Sequence, residues 1–254
     1  IMEKIVEICC GSYEDAKQAA LGGAERIELN SALMLGGLTP TETTLRMVKE
    51  DFPDLKVVAM VRPRGAGFCY SEAEFQVMKR ECQELLRCHA DGIAFGCLRE
   101  DASLDEQKNR ELIGLIRDMG KEAVFHRAFD CSRDPFQVME QLIDMGVNRV
   151  LTSGLEPKAF EGRELIRKLQ ADYGKDIQIL AGSGVSKDNV LPIMEYTGIS
   201  QVHSSCKAWA NDPTTVQNGI SYSIASGELE FCYDVVSAEL VKELICKVNG
   251  NIPD

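Results

Sequence analysis

Residues 4–29 read KIVEICCGSYEDAKQAALGGAERIEL and contain a complete strand–helix–strand unit. The apolar and β-branched residues 4–9 predict a strand. Ser12 is a typical N-cap for the helix that follows, and Gly22-Gly23 is a typical helix end. Residues 26–29 predict the next strand. Alternating strands and helices are typical of a parallel sheet, so this segment predicts an α/β fold.

The same alternation continues along the chain. The predicted strands are 4–9, 26–29, 56–61, 92–96, 123–126, 149–152, 177–181 and 201–204. The predicted helices are 12–21, one starting at Thr39-Pro40, 71–87, 105–118, 134–145, 157–173, 186–196 and, after a polar loop of about thirty residues, 235–248. Eight such units predict a (β/α)8 TIM barrel, a single domain over 1–254 with a C-terminal helix. The alternative topology is an open doubly wound sheet.

The composition argues against several classes of partner. The net charge is −12, which would repel nucleic acid and anionic membranes. No stretch approaches the roughly 20 apolar residues of a membrane span. Residues 1–10 begin a strand and do not resemble a signal peptide. The ten cysteines are irregularly spaced, so we expect free thiols, a reducing compartment and a cytoplasmic location.

Charged and ionisable residues gather at the predicted strand ends, where TIM barrels build their active sites. Same-parity residues of a strand share a face, so these side chains could form one inward polar ring. Its members are Glu7, Glu28, Arg62, His126 and His203. A histidine paired with a carboxylate can act as general acid or base, and two His with two Glu can hold a divalent metal. The alternative is a buried ion-pair layer that only supports the barrel.

A second pattern predicts an anion site. The turn Gly182-Ser183-Gly184 follows the seventh strand, and Ser204 lies in the eighth. Phosphate often binds there in TIM barrels, because small residues let backbone N–H groups approach an anion. Arg62, Arg64 and Arg127 are the candidate clamps for a small phosphorylated or carboxylated metabolite. The alternative for the turn is a tight loop with Ser186 as a helix cap.

Six of the ten cysteines fall at or after strand ends, and thiolates are ligands for Cu(I) or Zn. However, there is no Cys-x-x-Cys, and Cys9 and Cys10 should point to opposite faces of their strand. Buried cysteine is also common as core filler. No Lys ends a strand, which disfavours a Schiff-base aldolase. No serine nucleophile elbow and no P-loop occurs, which disfavours the enzyme classes that carry those motifs.

Short motifs along the chain resemble the CutC family of copper homeostasis proteins. They are Ile8-Cys9-Cys10, Arg26-Ile27-Glu28-Leu29, Gly36-Gly37-Leu38-Thr39-Pro40, Arg62-Pro63-Arg64, Phe68-Cys69-Tyr70, His126-Arg127-Ala128-Phe129-Asp130, Leu151-Thr152-Ser153-Gly154, Ala181-Gly182-Ser183-Gly184-Val185 and Val202-His203-Ser204-Ser205. The resemblance implies a barrel, a cytoplasmic setting, Cu(I) binding and self-association as a homodimer. Family members often carry Cys after the Glu-Leu pair of the second strand, where this chain has Asn30.

Two functional hypotheses therefore stand side by side. In the first, the protein is not an enzyme and binds copper(I) through Cys9 and Cys10, with Cys69 as a weaker candidate. In the second, it is an enzyme whose strand-end ring acts on a small anionic metabolite. The second hypothesis has its motivation in the polar ring, which copper storage by thiolates does not require.

Overall fold

A closed parallel barrel forms the centre of the computed structural model, which describes residues 3–250. The strands are β1 (Ile5–Cys10), β2 (Arg26–Leu29), β3 (Lys56–Met60), β4 (Gly92–Phe95), β5 (Glu122–Phe125), β6 (Arg149–Thr152), β7 (Gln178–Ala181) and β8 (Gln201–Ser204). They pair in chain order, and β8 pairs with β1. The predicted TIM barrel is confirmed, and the open sheet is excluded. The predicted domain limits, 1 and 254, lie outside the described residues.

Helices follow the strands and cover the barrel. They are α1 (Tyr13–Leu21), α2 (Glu42–Asp51), α3 (Glu72–Arg87), α4 (Glu106–Asp118), α5 (Pro135–Met145), α6 (Arg163–Tyr173), α7 (Val190–Thr197) and α8 (Ala238–Asn249). Ser12 caps α1 by accepting the backbone N–H of Asp15, and Ser71 forms a capping box with Glu74 before α3. No helix within 3–250 is both long and apolar enough to cross a bilayer.

Four helix starts differ from the sequence prediction. Helix α2 is capped by Thr41 and not by Thr39, because the Thr39 hydroxyl accepts the backbone N–H of Arg62 instead. Helix α6 begins at Arg163 and not at 157, because Gly162 packs against the backbone of Ser153 and Gly154 in the turn after β6. Helix α7 begins at Val190 and not at 186, since residues 186–189 form a turn. Helix α8 begins at Ala238 and not at 235.

The segment predicted as a polar loop after β8 contains regular structure. Strands β9 (Lys207–Asn211) and β12 (Cys232–Val236) form an antiparallel pair, with the short strands β10 (Val216–Gln217) and β11 (Ile220–Ser221) between them. The predicted start of the last helix, 235, lies inside β12. The two ends of this segment lie next to each other, because the backbone N–H of Ser237 donates to the carbonyl of Cys206.

The interior of the barrel has a polar half and an apolar half. Val58, Met60, Ala94 and Val124 form a small apolar cluster separate from the main core. The main core contains Val6, Ile8 and Cys10, whose side chains alternate with those of Glu7 and Cys9 along β1. Buried polar side chains of β1, β2, β6 and β8 fill the other half of the interior. The candidate site lies at this polar half.

Candidate functional site

Three potential metal ligands meet at the carboxyl ends of β1, β2 and β8. Register places Cys9 beside Glu28 and Glu7 beside His203. Ligand atoms of Cys9, Glu28 and His203 lie within 4.8 Å of one another. They are one thiol, one carboxylate and one imidazole, which together resemble the donor sets of zinc and copper sites. We call these three residues the metal cluster.

A second layer of buried groups orients His203. Its Nδ1 lies 2.9 Å from Oε1 of Glu7, and Nε of Arg26 lies 2.6 Å from Oε2 of the same carboxylate. Arg26 also donates to Oε1 of Gln201 at 2.7 Å, and Arg149 donates to the same oxygen at 3.1 Å. A carboxylate on one ring nitrogen leaves the other nitrogen free as a ligand, the usual arrangement around metal-bound histidine.

Burial and charge set the ionisation of these groups. Burial alone would raise the pKa of Glu7, but Arg26 and His203 outweigh it and lower that pKa to about 2. Burial alone would lower the pKa of His203, but Cys9, Glu7 and Glu28 together raise it well above its usual value. Burial raises the pKa of Glu28 and of the Cys9 thiol. A metal ion must therefore displace protons from this cluster, so its binding would tighten as the pH rises.

Only one of the three predicted copper thiols lies in the metal cluster. Cys10 points to the opposite face of β1, into the core beneath the helices, where its thiol contacts the carbonyl of Ile8 at 3.6 Å. Cys69 is exposed and does not line the cavity beside the cluster. Asn30 donates to Oε1 of Glu28 at 2.9 Å, and its amide nitrogen lies 3.6 Å from Sγ of Cys9.

A cavity of about 440 Å³ opens beside the metal cluster. This volume is typical of sites for small molecules. The residues that line the cavity are Cys9, Glu28, Leu33, Gly36, Met60, Arg62, Phe68, His126, Arg127, Asp130, Cys131, Leu151, Ser183, Gly184, His203, Ser204, Ser205, Lys207 and Asp234. Four members of the predicted polar ring thus face one space, while Glu7 lies behind His203.

Arg62 and His126 reach the cavity from just beyond their strands. The Arg62 guanidinium donates to the carbonyls of Leu35, Gly37 and Ala66. It thereby links the loop after β2 to the loop after β3. His126 follows β5 and accepts the backbone N–H of Ala128 on Nδ1 at 3.1 Å. Gly96 leaves the space that this ring occupies, since a Cβ at Gly96 would lie 2.7 Å from Cε1 of His126.

The residues predicted to bind an anion are partly engaged elsewhere. The hydroxyls of Ser183 and Ser204 donate to the carbonyls of Pro157 and Val185. Arg127 donates to Asp130 and Ser153. Ser183, Gly184, Ser204 and Arg127 nevertheless line the cavity.

Two further members of the predicted anion site lie outside the cavity lining. Arg64 pairs with Glu74 and donates to the carbonyls of Gly65, Gly67 and Cys69. Gly182 lies under His203, where an added Cβ would come within 3.2 Å of the His203 Cβ.

The layer beneath the metal cluster lies outside the set of predicted site residues. Arg26, Arg149 and Gln201 occupy inward positions near the starts of their strands and are almost fully buried. A signal was present, because Arg26 has the same parity as Glu28. These residues lie too early in their strands to belong to a ring built from strand ends.

Comparison with known proteins agrees with the motif resemblance. The CutC family model matches residues 4–208. A protein of Treponema denticola named as a family protein CutC is 43% identical over 217 residues, covering 85% of this chain and 87% of that protein. A human protein named copper homeostasis protein cutC homolog is 36% identical over 228 residues, covering 90% of this chain and 81% of its own length.

Solved structures agree with the fold. A structure named as a CutC protein from Streptococcus agalactiae superposes with a TM-score of 0.75 at 26% identity, covering 80% of this chain and 98% of its own. A structure named KGPDC from Streptococcus mutans gives a TM-score of 0.61 at 13% identity, covering 99% of this chain and 100% of its own, which shows the fold alone. The family match covers most of the chain, and the relatives are well above 30% identical. This chain therefore belongs to the CutC family.

Proposed function

We propose that this protein acts in copper homeostasis by binding one Cu(I) ion at the metal cluster. The observation that carries this proposal is the approach of the Cys9, Glu28 and His203 ligand atoms within 4.8 Å at the cavity wall. We choose copper as the metal because the names of the relatives describe copper homeostasis proteins. Copper is the cargo here and not a catalyst.

The donor chemistry fits this cargo. Thiolate is a soft ligand that favours Cu(I), and imidazole suits copper and zinc. Cys9 and His203 would hold the ion, and the Glu7 carboxylate would keep the His203 ring oriented. Oε2 of Glu28 is buried and has no hydrogen-bond partner among the described residues, which is favourable only if a cation or a proton lies beside it.

The first experiment is a Cu(I) titration of the reduced protein against a chromophoric chelator, with Zn and Mn as competitors. We expect one Cu(I) per chain, and we expect Cys9→Ser to abolish this binding. Glu7→Gln should weaken binding by about 10- to 100-fold, because it removes the group that orients His203.

The neighbouring thiol provides a matched control. Cys10→Ala removes a thiol one residue away that points into the core, so copper binding should persist. Binding that disappears in Cys10→Ala but survives in Cys9→Ser would contradict the proposed site. Preference for Zn or Mn over Cu(I) would contradict the proposed cargo.

A second candidate function is an enzyme acting on a small phosphorylated or carboxylated metabolite. The cavity of about 440 Å³ favours it, because a single copper ion needs no space of that size. His126 or His203 would move protons with Glu28 nearby, or the metal cluster would hold a divalent ion that polarises the substrate. Turnover of such a metabolite that disappears in His126→Ala would favour this function over copper binding.

We also propose a cytoplasmic location and a homodimer. All ten cysteines are free, as expected in a reducing compartment. Exposed apolar side chains on the segment between β9 and β12 support self-association, because monomers seldom expose such groups together. They are Ile220, Tyr222, Ile224 and Phe231.

A further inference from the structure

Arg62 is a buried cation that pairs with no carboxylate among residues 3–250. Its side chain lines the cavity, and the residue is only 6% exposed. Its guanidinium donates to three backbone carbonyls, and within 3–250 no Asp or Glu oxygen lies within 4.0 Å of it. Carbonyl dipoles do not neutralise a full charge, and an unpaired buried charge is costly. The Arg62 side chain therefore favours an anion in the cavity.

His126 adds an unpaired N–H donor at the same end of the cavity. Its Nδ1 accepts the backbone N–H of Ala128, so the ring proton of the neutral form lies on Nε2. His126 is 3% exposed, and its Nε2 has no hydrogen-bond partner in the part of the chain that the structure describes. The ring of Phe68 lies 5.1 Å from the His126 ring and 5.2 Å from the Arg62 guanidinium. These three residues form one corner of the cavity.

We propose that this corner binds the carboxylate of a small organic acid, held by the Arg62 guanidinium and by Nε2–H of His126. Three of the five N–H groups of Arg62 already donate to carbonyls, which leaves at most two for a ligand. Together with the His126 donor, this number suits the two oxygens of a carboxylate. A phosphate would present three oxygens and more charge than these donors satisfy.

The remainder of the acid would extend towards the metal cluster, which forms another part of the same cavity wall. The acidic chain as a whole repels anions, so binding would depend on this local corner. The inference rests on the second candidate function for its context, but it needs neither bound metal nor turnover. It places the anion at Arg62 and His126 and not on the Gly182–Gly184 turn.

The test is a titration of the full-length, chelator-treated protein with acetate, malonate and inorganic phosphate. Histidine-selective ¹H–¹⁵N NMR spectra report on His126, and calorimetry gives the dissociation constants. We expect malonate or acetate to bind one per chain and to shift the Nε2–H resonance of His126. His126→Phe should keep the ring packing but lose the donor, weakening binding by about 10- to 100-fold.

Arg62→Gln should weaken carboxylate binding to a similar degree, although it also removes bonds that tie two loops together. His126→Phe and the wild-type spectra keep the test decisive if Arg62→Gln does not fold. Arg80→Gln is the matched control, because it removes the same charge from an exposed residue of α3. It should bind carboxylates like the wild type.

Two outcomes would overturn the inference. One is carboxylate binding that is equal in His126→Phe and Arg80→Gln. The other is a chain that binds inorganic phosphate while acetate and malonate leave the His126 resonance unchanged. Carboxylate binding by a wild-type chain that binds no Cu(I) would retain this inference and reject the copper proposal. Carboxylate binding without turnover would retain it and reject the second candidate function.

Discussion

Two histidines share one cavity but differ in ionisation. Burial, with a contribution from the Arg62 charge, lowers the pKa of His126 to about 3. The pKa of His203 is raised, because its anionic neighbours outweigh the effect of burial. At neutral pH the cavity therefore presents a neutral imidazole on one side and a protonated one on the other. The first is suited to donate a hydrogen bond, and the second must release a proton before it can bind a metal.

The low pKa of His126 makes folding sensitive to acid. In the unfolded chain the pKa is about 6.5, so between that value and about 3 the unfolded state binds one more proton. Stability is therefore lost as pH falls through this window, by about 1.4 kcal/mol per pH unit. We expect His126→Asn to reduce the slope of unfolding free energy against pH by about that amount between pH 6.5 and 5.

Urea unfolding at several pH values measures this slope. His89→Asn is the control, since it makes the same substitution at an exposed turn residue that does not line the cavity. An unchanged slope in His126→Asn would mean that His126 is already charged in the folded protein.

The start of α6 depends on a close backbone contact between Gly154 and Gly162. A Cβ on Gly162 would lie 1.9 Å from the carbonyl oxygen of Ser153, and one on Gly154 would lie 2.2 Å from the carbonyl oxygen of Gly162. The chain from 157 to 162 therefore packs against the turn after β6 before the helix can begin. Helical periodicity alone does not reveal such a backbone contact.

Gly162→Ala should destabilise the protein by about 1–3 kcal/mol, because the added methyl group must push the two backbones apart. Gly114→Ala is the matched control. It lies within α4, where an added Cβ meets nothing within 4 Å, so alanine should stabilise by about 0.5–1 kcal/mol. Denaturant midpoints measure both changes. Similar effects of the two substitutions on the denaturant midpoint would contradict a close backbone contact at Gly162.

The segment between β9 and β12 carries little of the core. Residues 212–231 include no buried residue, and Asn211 pairs with Cys232. Replacing 212–231 by Asn-Gly should close a two-residue hairpin. We expect this variant to unfold cooperatively at nearly the wild-type denaturant midpoint and to retain the proposed copper binding. Loss of either would show that the segment supports the barrel or the metal cluster.

At the scale of the whole molecule, exposed apolar side chains and net charge have opposite effects on self-association. A charge of −12 on each chain opposes association, whereas the apolar residues beyond β9 favour it. We expect light scattering to give twice the 28.1 kDa chain mass, with dissociation favoured at low salt. The Asn-Gly variant should have the mass of one chain. A single-chain mass for the wild type at all concentrations would exclude the dimer.

Much of the fold and part of the site follow from the sequence alone. Strand–helix alternation over residues 4–29 and its repetition predict the barrel, because each unit must bury an apolar face against the next. Parity along β1 and β2 places Glu7 on the same face as Cys9 and Glu28 on the same face as Asn30, and it separates Cys9 from Cys10. These properties depend on local periodicity, which the order of residues contains.

Only the tertiary structure decides which inward groups meet. Register across β1, β2 and β8 brings Cys9, Glu28 and His203 together, although nearly two hundred residues separate the first from the last. The same closure leaves Cys69 outside the cavity lining and places Arg62 close to His126, with no carboxylate partner for Arg62 within residues 3–250. Side-chain identity determines which chemistry is available. Distances between strands remote in sequence determine which of these side chains can act together, because ligation and ion pairing extend over only a few ångströms.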